Sequence, residues 1–430
     1  MPGPTPSTPR RSRPVILRDG GALTLLLAGG LGLLLFSWFS HKQAVVGLES
    51  GGFASVVHAV PPLKEGEGPP RIVPPEGVPS LSAEACGQCH PEAYAEWQQS
   101  QHSKGWRNPL FQAEFARADT LWLCLNCHTP LQAQQPEVVT GVEAGHIERP
   151  LTEPNPAWDP ALRDEGVTCA GCHVREGMIY GPRPDVRAPH PVAHDPNLAS
   201  GGMCDTCHQI PEGPFPFYEG APCADRFDFA DGPWARNDFT CNSCHMRTRL
   251  RGPEGNQREG SGHFFPGAHS PAMLEEAIAI RVAPTLPLWA DKQKVPFNIR
   301  LTNRGAGHLL PIGRPDRRIT VTWEVIDGSG RVVRSREDTV TRRMLPGPVQ
   351  VDLRDGRIQP LSFREFTFKA RSAPRHVLRV TVRYHLSGAS EKARLVRHWD
   401  LPADTPDHTV LFAQEYSLSP GPYRPPASPS

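Results

Sequence analysis

Five short runs of this chain set two cysteines three positions apart with a histidine directly behind them: CGQCH (Cys86, Cys89, His90), CLNCH (Cys124, Cys127, His128), CAGCH (Cys169, Cys172, His173), CDTCH (Cys204, Cys207, His208) and CNSCH (Cys241, Cys244, His245). Thiol pairs at this spacing can hold zinc, close disulfides, or form thioethers to a porphyrin whose iron the following histidine ligates. The histidines discriminate. Histidine is 18 of 430 residues, so its chance recurrence behind all five pairs is of order 10⁻⁷, and neither zinc knuckles nor disulfides require it there. An odd number of pairs also suits four-cysteine zinc sites poorly. The runs are therefore read as attachment sites for five covalent haem c groups, with ten cysteines as thioether donors and five histidines as iron ligands. The eleventh cysteine, Cys223 in APCADR, then has no internal partner and is expected to be a buried free thiol.

Each iron has a second face. A protein ligand there makes an electron carrier, and an open position makes a possible reaction centre. The histidines outside the motifs that could serve are His58, His102, His146, His190, His194, His263, His269 and His308. His58 lies in a proline-rich spacer and is expected to be solvated. The apolar spacing of Ala93, Tyr94 and Trp97 predicts a helix behind His90, which carries His102 about 18 Å along at about 1.5 Å per residue. His102 is therefore assigned to the iron of another motif. His190 and His194, in APHPVAH, stand four apart in a loop, so at most one is expected to ligate; His146, His263, His269 and His308 remain candidates. Met178, Met203, Met246 and Met273 are read as packing residues.

The elements that must hold these groups differ between the two halves of the chain. The first cysteines of successive motifs are 38, 45, 35 and 37 residues apart, and all five motifs fall within residues 86–245. About 32 residues per site cannot enclose each macrocycle in aliphatic side chains, in keeping with a hydrophobic fraction of only 38% and with 49 prolines and 39 glycines. The fold expected for residues 81–274 is a mostly irregular and helical pentahaem domain. Beyond it the pattern alternates: Ile319, Val321, Trp323 and Val325 are interleaved with polar residues before a DGSG turn. Further strands are expected at 277–283, 296–302, 361–369, 377–385 and 393–399, giving an all-β, immunoglobulin-like sandwich over 275–415 and a disordered tail over 416–430.

Upstream, Arg10, Arg11, Arg13 and Arg18 precede 21 uncharged residues between Asp19 and His41, long enough to cross a bilayer. The reading is a basic cytoplasmic N-terminus (1–20), a transmembrane anchor or signal peptide (21–40) and a Pro/Gly-rich linker (41–80). By the positive-inside tendency the remainder lies on the periplasmic or extracytoplasmic side. A net charge of +1 gives no support for nucleic-acid binding.

The run CGQCHPEAYAEWQQSQHS, with Tyr94, Trp97, Ser100 and His102, resembles the cytochrome c554-type multihaem domain, in which a CxxCH is followed by a Tyr-x-x-Trp-x-x-Ser-x-His helix. The phrases EGVTCAGCHV, CNSCHM, HFFPGAHSPAML and GAGHLLPIG are similar to those of exported multihaem cytochromes carrying a C-terminal sandwich. The resemblance implies mostly bis-histidine haems in close pairs and a role in electron transfer. Five sites and an added sandwich depart from the four-haem c554 pattern, and no partner is carried over. The expected function is transfer of electrons between redox proteins. A competing reading is an oxidoreductase acting on a small nitrogen or sulfur compound at one open iron. A third is a docking protein whose haems mainly stabilise it.

Overall fold

The computed structural model describes residues 73–118, 122–143, 146–175, 177–208, 225–230, 232–252, 257–314, 316–345 and 351–426. The anchor at 21–40, the basic N-terminus, most of the linker, His58 and Cys223 lie outside the described residues, as does the side chain of His146. Among the described residues no helix is long and apolar enough to cross a membrane.

The motif-bearing half is assembled from short pieces. Each motif is about one turn of helix: Ala83–Gly87 running on into Cys89 and His90, then Leu125–His128, Cys169–His173, Asp205–His208 and Cys241–His245. A helical turn sets positions i and i+3 on one face, so both thiols of a pair point the same way. Helix α1 (Pro91–Gln99) starts directly behind His90, with a proline at the first position, where no donor is lost. It stops at Gln99, and His102 opens a separate one-turn 3₁₀ helix, His102–Lys104. Helix α2 (Pro109–Arg117) is capped by Asn108, whose side-chain oxygen accepts from the backbone of Leu110 and Phe111. Aliphatic packing here is thin: Leu81, Leu131, Leu162, Ala170 and Val174 form one small cluster.

The C-terminal region is rich in sheet. Strands β1 (Ile278–Pro284), β2 (Lys294–Asn303), β3 (Arg318–Ile326), β4 (Val332–Leu345), β5 (Val351–Asp355), β6 (Phe363–Arg371), β7 (Val377–His385) and β8 (His408–Ser417) form two antiparallel sheets, ordered β6-β2-β1 and β5-β4-β3-β7-β8. The alternating residues of β3 turn inward, and Trp323 stacks on Phe368 of the facing sheet at 5.4 Å between ring centres, with the planes 9° apart. Phe297, Ile299, Val380 and Tyr416 complete this core, which is far larger than the one beneath the motifs.

Two expectations are corrected. Residues 393–399 are not a strand; 393–398 belong to helix α3 (Ala389–His398), inserted between β7 and β8, and Trp399 caps it. A short apolar run fits either period, and burial decides: Leu395 is fully buried with Leu401 against Ala113 of α2, flanked by Leu110 and Val396. The sheet region also runs past residue 415. β8 reaches Ser417, Leu418 is fully buried, Trp289 donates its indole N–H to the Ser419 carbonyl at 2.9 Å, and Gly421–Pro422 pairs with Leu288–Trp289. Pro422, within the stretch expected as a disordered tail, sits instead at a sheet edge.

Leu395 is the apolar peg between the two halves. Leu395→Ala should cost about 2–5 kcal/mol, the range for emptying a buried leucine site, read as a lowered denaturation midpoint of the haem-loaded chain.

Candidate multihaem site

Among the described residues, four of the five motif histidines face a second imidazole. The ring centres of His90 and His190 are 6.5 Å apart, those of His208 and His102 6.4 Å, those of His173 and His263 6.3 Å, and those of His245 and His308 6.5 Å. These separations are too long for stacking and too uniform for casual contact. Two imidazoles bound to opposite faces of one metal, with nitrogen–metal bonds of about 2.0–2.1 Å and each nitrogen about 1.1 Å from its ring centre, have centres about 6.3 Å apart. The donor set fits a six-coordinate haem iron.

The tautomers agree. His128, His173 and His245 place Nδ1 within 2.9, 2.8 and 2.6 Å of the carbonyl oxygens of Gly105, Tyr180 and Pro266. An Nδ1–H donated to a carbonyl leaves the Nε2 lone pair for a metal and fixes the ring plane.

The remaining candidates are placed differently. His194 is exposed on the short strand Val192–His194 and faces no motif histidine, so of the APHPVAH pair it is His190 that lies opposite a motif. His269 also pairs with no motif histidine among the described residues; burial, then Arg317 and Lys104, lower its pKa to about 4. His128 has a phenyl ring for a neighbour: Phe111 of α2 stacks on it at 3.6 Å, with the planes 8° apart. No facing imidazole stands opposite His128 among the described residues. Met203 lies 2.8 Å from the Arg175 guanidinium through its sulfur, in keeping with a packing role.

Several residues position the motifs. Glu165 accepts from the Ser82 hydroxyl and, at 2.7 Å, from the Ala83 N–H, seating the first motif helix on the segment before the third motif. Trp97 donates to the Val167 carbonyl at 2.8 Å, and the Val167 N–H donates to the His102 carbonyl at 3.0 Å. At Gly166 between them, φ is +66° and a Cβ would lie 2.7 Å from the His102 carbonyl oxygen. The EGV and Trp-x-x-Ser-x-His phrases are thus two sides of one contact. Glu96 of α1 is almost fully buried, paired with Arg251, and accepts from the His263 backbone N–H at 2.8 Å. Phe265 lies edge-on to His102 at 4.5 Å and to His263 at 5.8 Å, separating two of the facing pairs. His308 comes from the sheet region on the turn after β2. Asn303 donates to its carbonyl at 2.8 Å, and Gly305 and Gly307 allow the turn to lie against the Glu276 carbonyl and the Phe229 ring, where Cβ atoms would be 2.4 and 2.7 Å away.

Motif cysteines also meet one another. The thiols of Cys86 and Cys169, of Cys127 and Cys207, and of Cys204 and Cys241 lie within hydrogen-bonding reach, and Cys172 and Cys207 are near enough to feel each other's charge. The first and third sites, the second and fourth, the third and fourth, and the fourth and fifth therefore adjoin.

Residues 85–149 match the family model described as cytochrome c554 and c-prime. The chain is a multihaem c-type cytochrome. Its fold is similar to that of a crystal structure of a penta-heme cytochrome c552 from Thermochromatium tepidum, with a TM-score of 0.57 and 20% sequence identity over 78% of this chain and 98% of the other. No curated protein matches the sequence. In this cytochrome the family match spans the first two motifs, and the structural match extends the likeness over most of the chain.

Two measurements check the pairings. His308→Ala should convert one haem's worth of low-spin signal to high-spin and leave the rest unchanged. His102→Ala should do the same to the haem carried by Cys204 and Cys207, without affecting the haem at Cys86 and Cys89. Burial, as the largest cause, lowers the pKa of His269 and of His385, neither of which faces a motif histidine among the described residues, to about 4. Above the unfolded value of about 6.5 these groups are neutral in both states; below it the unfolded chain takes up protons that the folded one refuses. Stability should therefore fall steadily as pH drops from about 6.5 towards about 4, seen as a declining urea midpoint. A midpoint that stays flat across that window would contradict the assignment.

Proposed function

We propose that this cytochrome carries five haems and moves electrons between redox proteins, without making or breaking a substrate bond. The observation that supports the reading is the set of four imidazole pairs at 6.3–6.5 Å. Irons held on both faces exchange electrons with little rearrangement and offer no position to a substrate. Cys86, Cys89, Cys124, Cys127, Cys169, Cys172, Cys204, Cys207, Cys241 and Cys244 would attach the haems. His190, His102, His263 and His308 would complete the first, fourth, third and fifth irons. The cysteine contacts suggest a branched path: first site to third, third to fourth, and from the fourth to both the second and the fifth. The cytochrome is read as exported and tethered by residues 21–40, with its haems extracytoplasmic and the linker holding them off the membrane. The strand order, with β1, β2 and β6 in one sheet and β3, β4, β7 and β8 in the other, supports an immunoglobulin-like sandwich.

One observation favours a second reading. Among the described residues no imidazole faces His128, and Phe111 stacks on its ring, so the second site is where an oxidoreductase acting on a small nitrogen or sulfur compound would be sought.

The experiment is a haem count on the full chain together with reduced spectra with and without carbon monoxide. Five haems per chain and no CO shift is the expected result. A CO shift equal to one haem, lost or altered when Phe111 is replaced by Leu, would move the assignment to the second reading, and a count below five would remove the proposed path.

A further inference from the structure

Three side chains able to bind a metal meet in the sheet region. His385, the last residue of β7, is the register partner of His408, the first of β8, and Asp407 precedes His408. The two rings are 5.4 Å apart at 37°, and one ligand atom from each of the three residues lies within 4.8 Å of the other two. None belongs to a haem motif, and none faces a motif histidine.

The placement has a half-buried side and an exposed side. The Leu386 N–H donates to the Asp407 carbonyl at 2.7 Å, so the backbone beneath the site is locked. His385 is half-buried, with Nε2 3.0 Å from the Thr320 hydroxyl, the kind of outer contact that orients a ligating imidazole. His408 is exposed, with Nδ1 3.1 Å from the Asp407 carboxylate.

The surrounding charges select the ion. Lys392 of α3 lies 3.3 Å from Asp407, and the Arg318 guanidinium lies 3.5 Å from His385 Nδ1, with Arg383 further out. A hard cation held mainly by charge is disfavoured there. A borderline ion that bonds strongly to imidazole nitrogen is not.

We propose that His385, Asp407 and His408 form a two-histidine, one-carboxylate site for Cu²⁺ or Zn²⁺, separate from the haems, that clamps the base of the β7–β8 hairpin and displaces Lys392 from Asp407 and Arg318 from Nδ1 of His385. The hairpin carries α3, which packs on α2, so the clamp stands at the foot of the contact between the two halves.

The test is titration of the haem-loaded full chain with Zn²⁺ by calorimetry and with Cu²⁺ by electron paramagnetic resonance. The expected result is one saturable ion per chain, with affinity lowered at least about tenfold by His408→Ala and by Asp407→Asn. Lys392→Gln, which removes the competing ammonium, should tighten binding. His376→Ala, at a half-buried histidine just before β7, should leave it unchanged. The haem absorption spectrum reports that each variant has folded, and His385→Gln replaces any that has not. Absence of a saturable ion, binding indifferent to His408→Ala, or binding lost on His376→Ala would overturn the proposal.

Discussion

Each haem iron has two faces, and one segment of chain can hold only one of them while carrying the thiols that anchor the ring edge. The opposite imidazole has to arrive from elsewhere. In this cytochrome His90 faces His190, His102 faces His208, His173 faces His263 and His245 faces His308, residues separated by 63 to 106 positions. Every such pair closes a long loop, and together they bind the motif-bearing half into a unit where aliphatic packing is thin. The irregular backbone follows from this arrangement. One-turn helices present thiols and histidines, and buried side chains such as Gln134, which donates to the carbonyls of Leu162 and Gly166 at 2.9 and 2.7 Å, satisfy backbone groups that longer elements would have paired internally.

The sheet region is tied into this arrangement at three points. His308 reaches from the β2 turn to face His245. Helix α3 seats Leu395 on α2, the helix that holds Phe111 against His128, and the Arg117–Glu391 and Arg314–Glu114 ion pairs flank that contact. Arg357, nearly buried, pairs with Asp228 of the helix Asp225–Ala230 at 2.6 Å. The ion pairs are oriented and partly shielded, so they add specificity to a contact whose stability comes chiefly from burial of Leu395 and Leu401. A module of this kind carries no chemistry by its fold alone; here it shapes the surroundings of the second and fifth sites.

Much of the local chemistry is written in the sequence, because covalent attachment has a short, fixed grammar. Two thiols and a histidine must fit one turn of helix, so the five motifs are legible without neighbours. Period-two alternation likewise exposed β3 and β7, whose inward residues enter the large core. Short apolar runs were not decisive: ARLVRHW fits a strand until Leu395 meets Ala113, and YSLSP reads as a tail until Leu418 enters the core.

What the sequence by itself determined was the cofactor chemistry and the number of attachment motifs, since these depend on contacts only a few residues apart. It also pointed to His102 as lying away from the motif of His90, and His102 faces His208 although the helix behind His90 stops at Gln99. Only the tertiary structure decided which distant histidine faces which motif, that His190 rather than His194 is the one turned inward, and that Phe111 occupies the flank of His128. Those choices depend on loop closure, on the reach of Glu96, Glu165 and Trp97, and on turns that Gly166, Gly305 and Gly307 alone can fit. Such terms are summed over the whole fold, and no local pattern carries them.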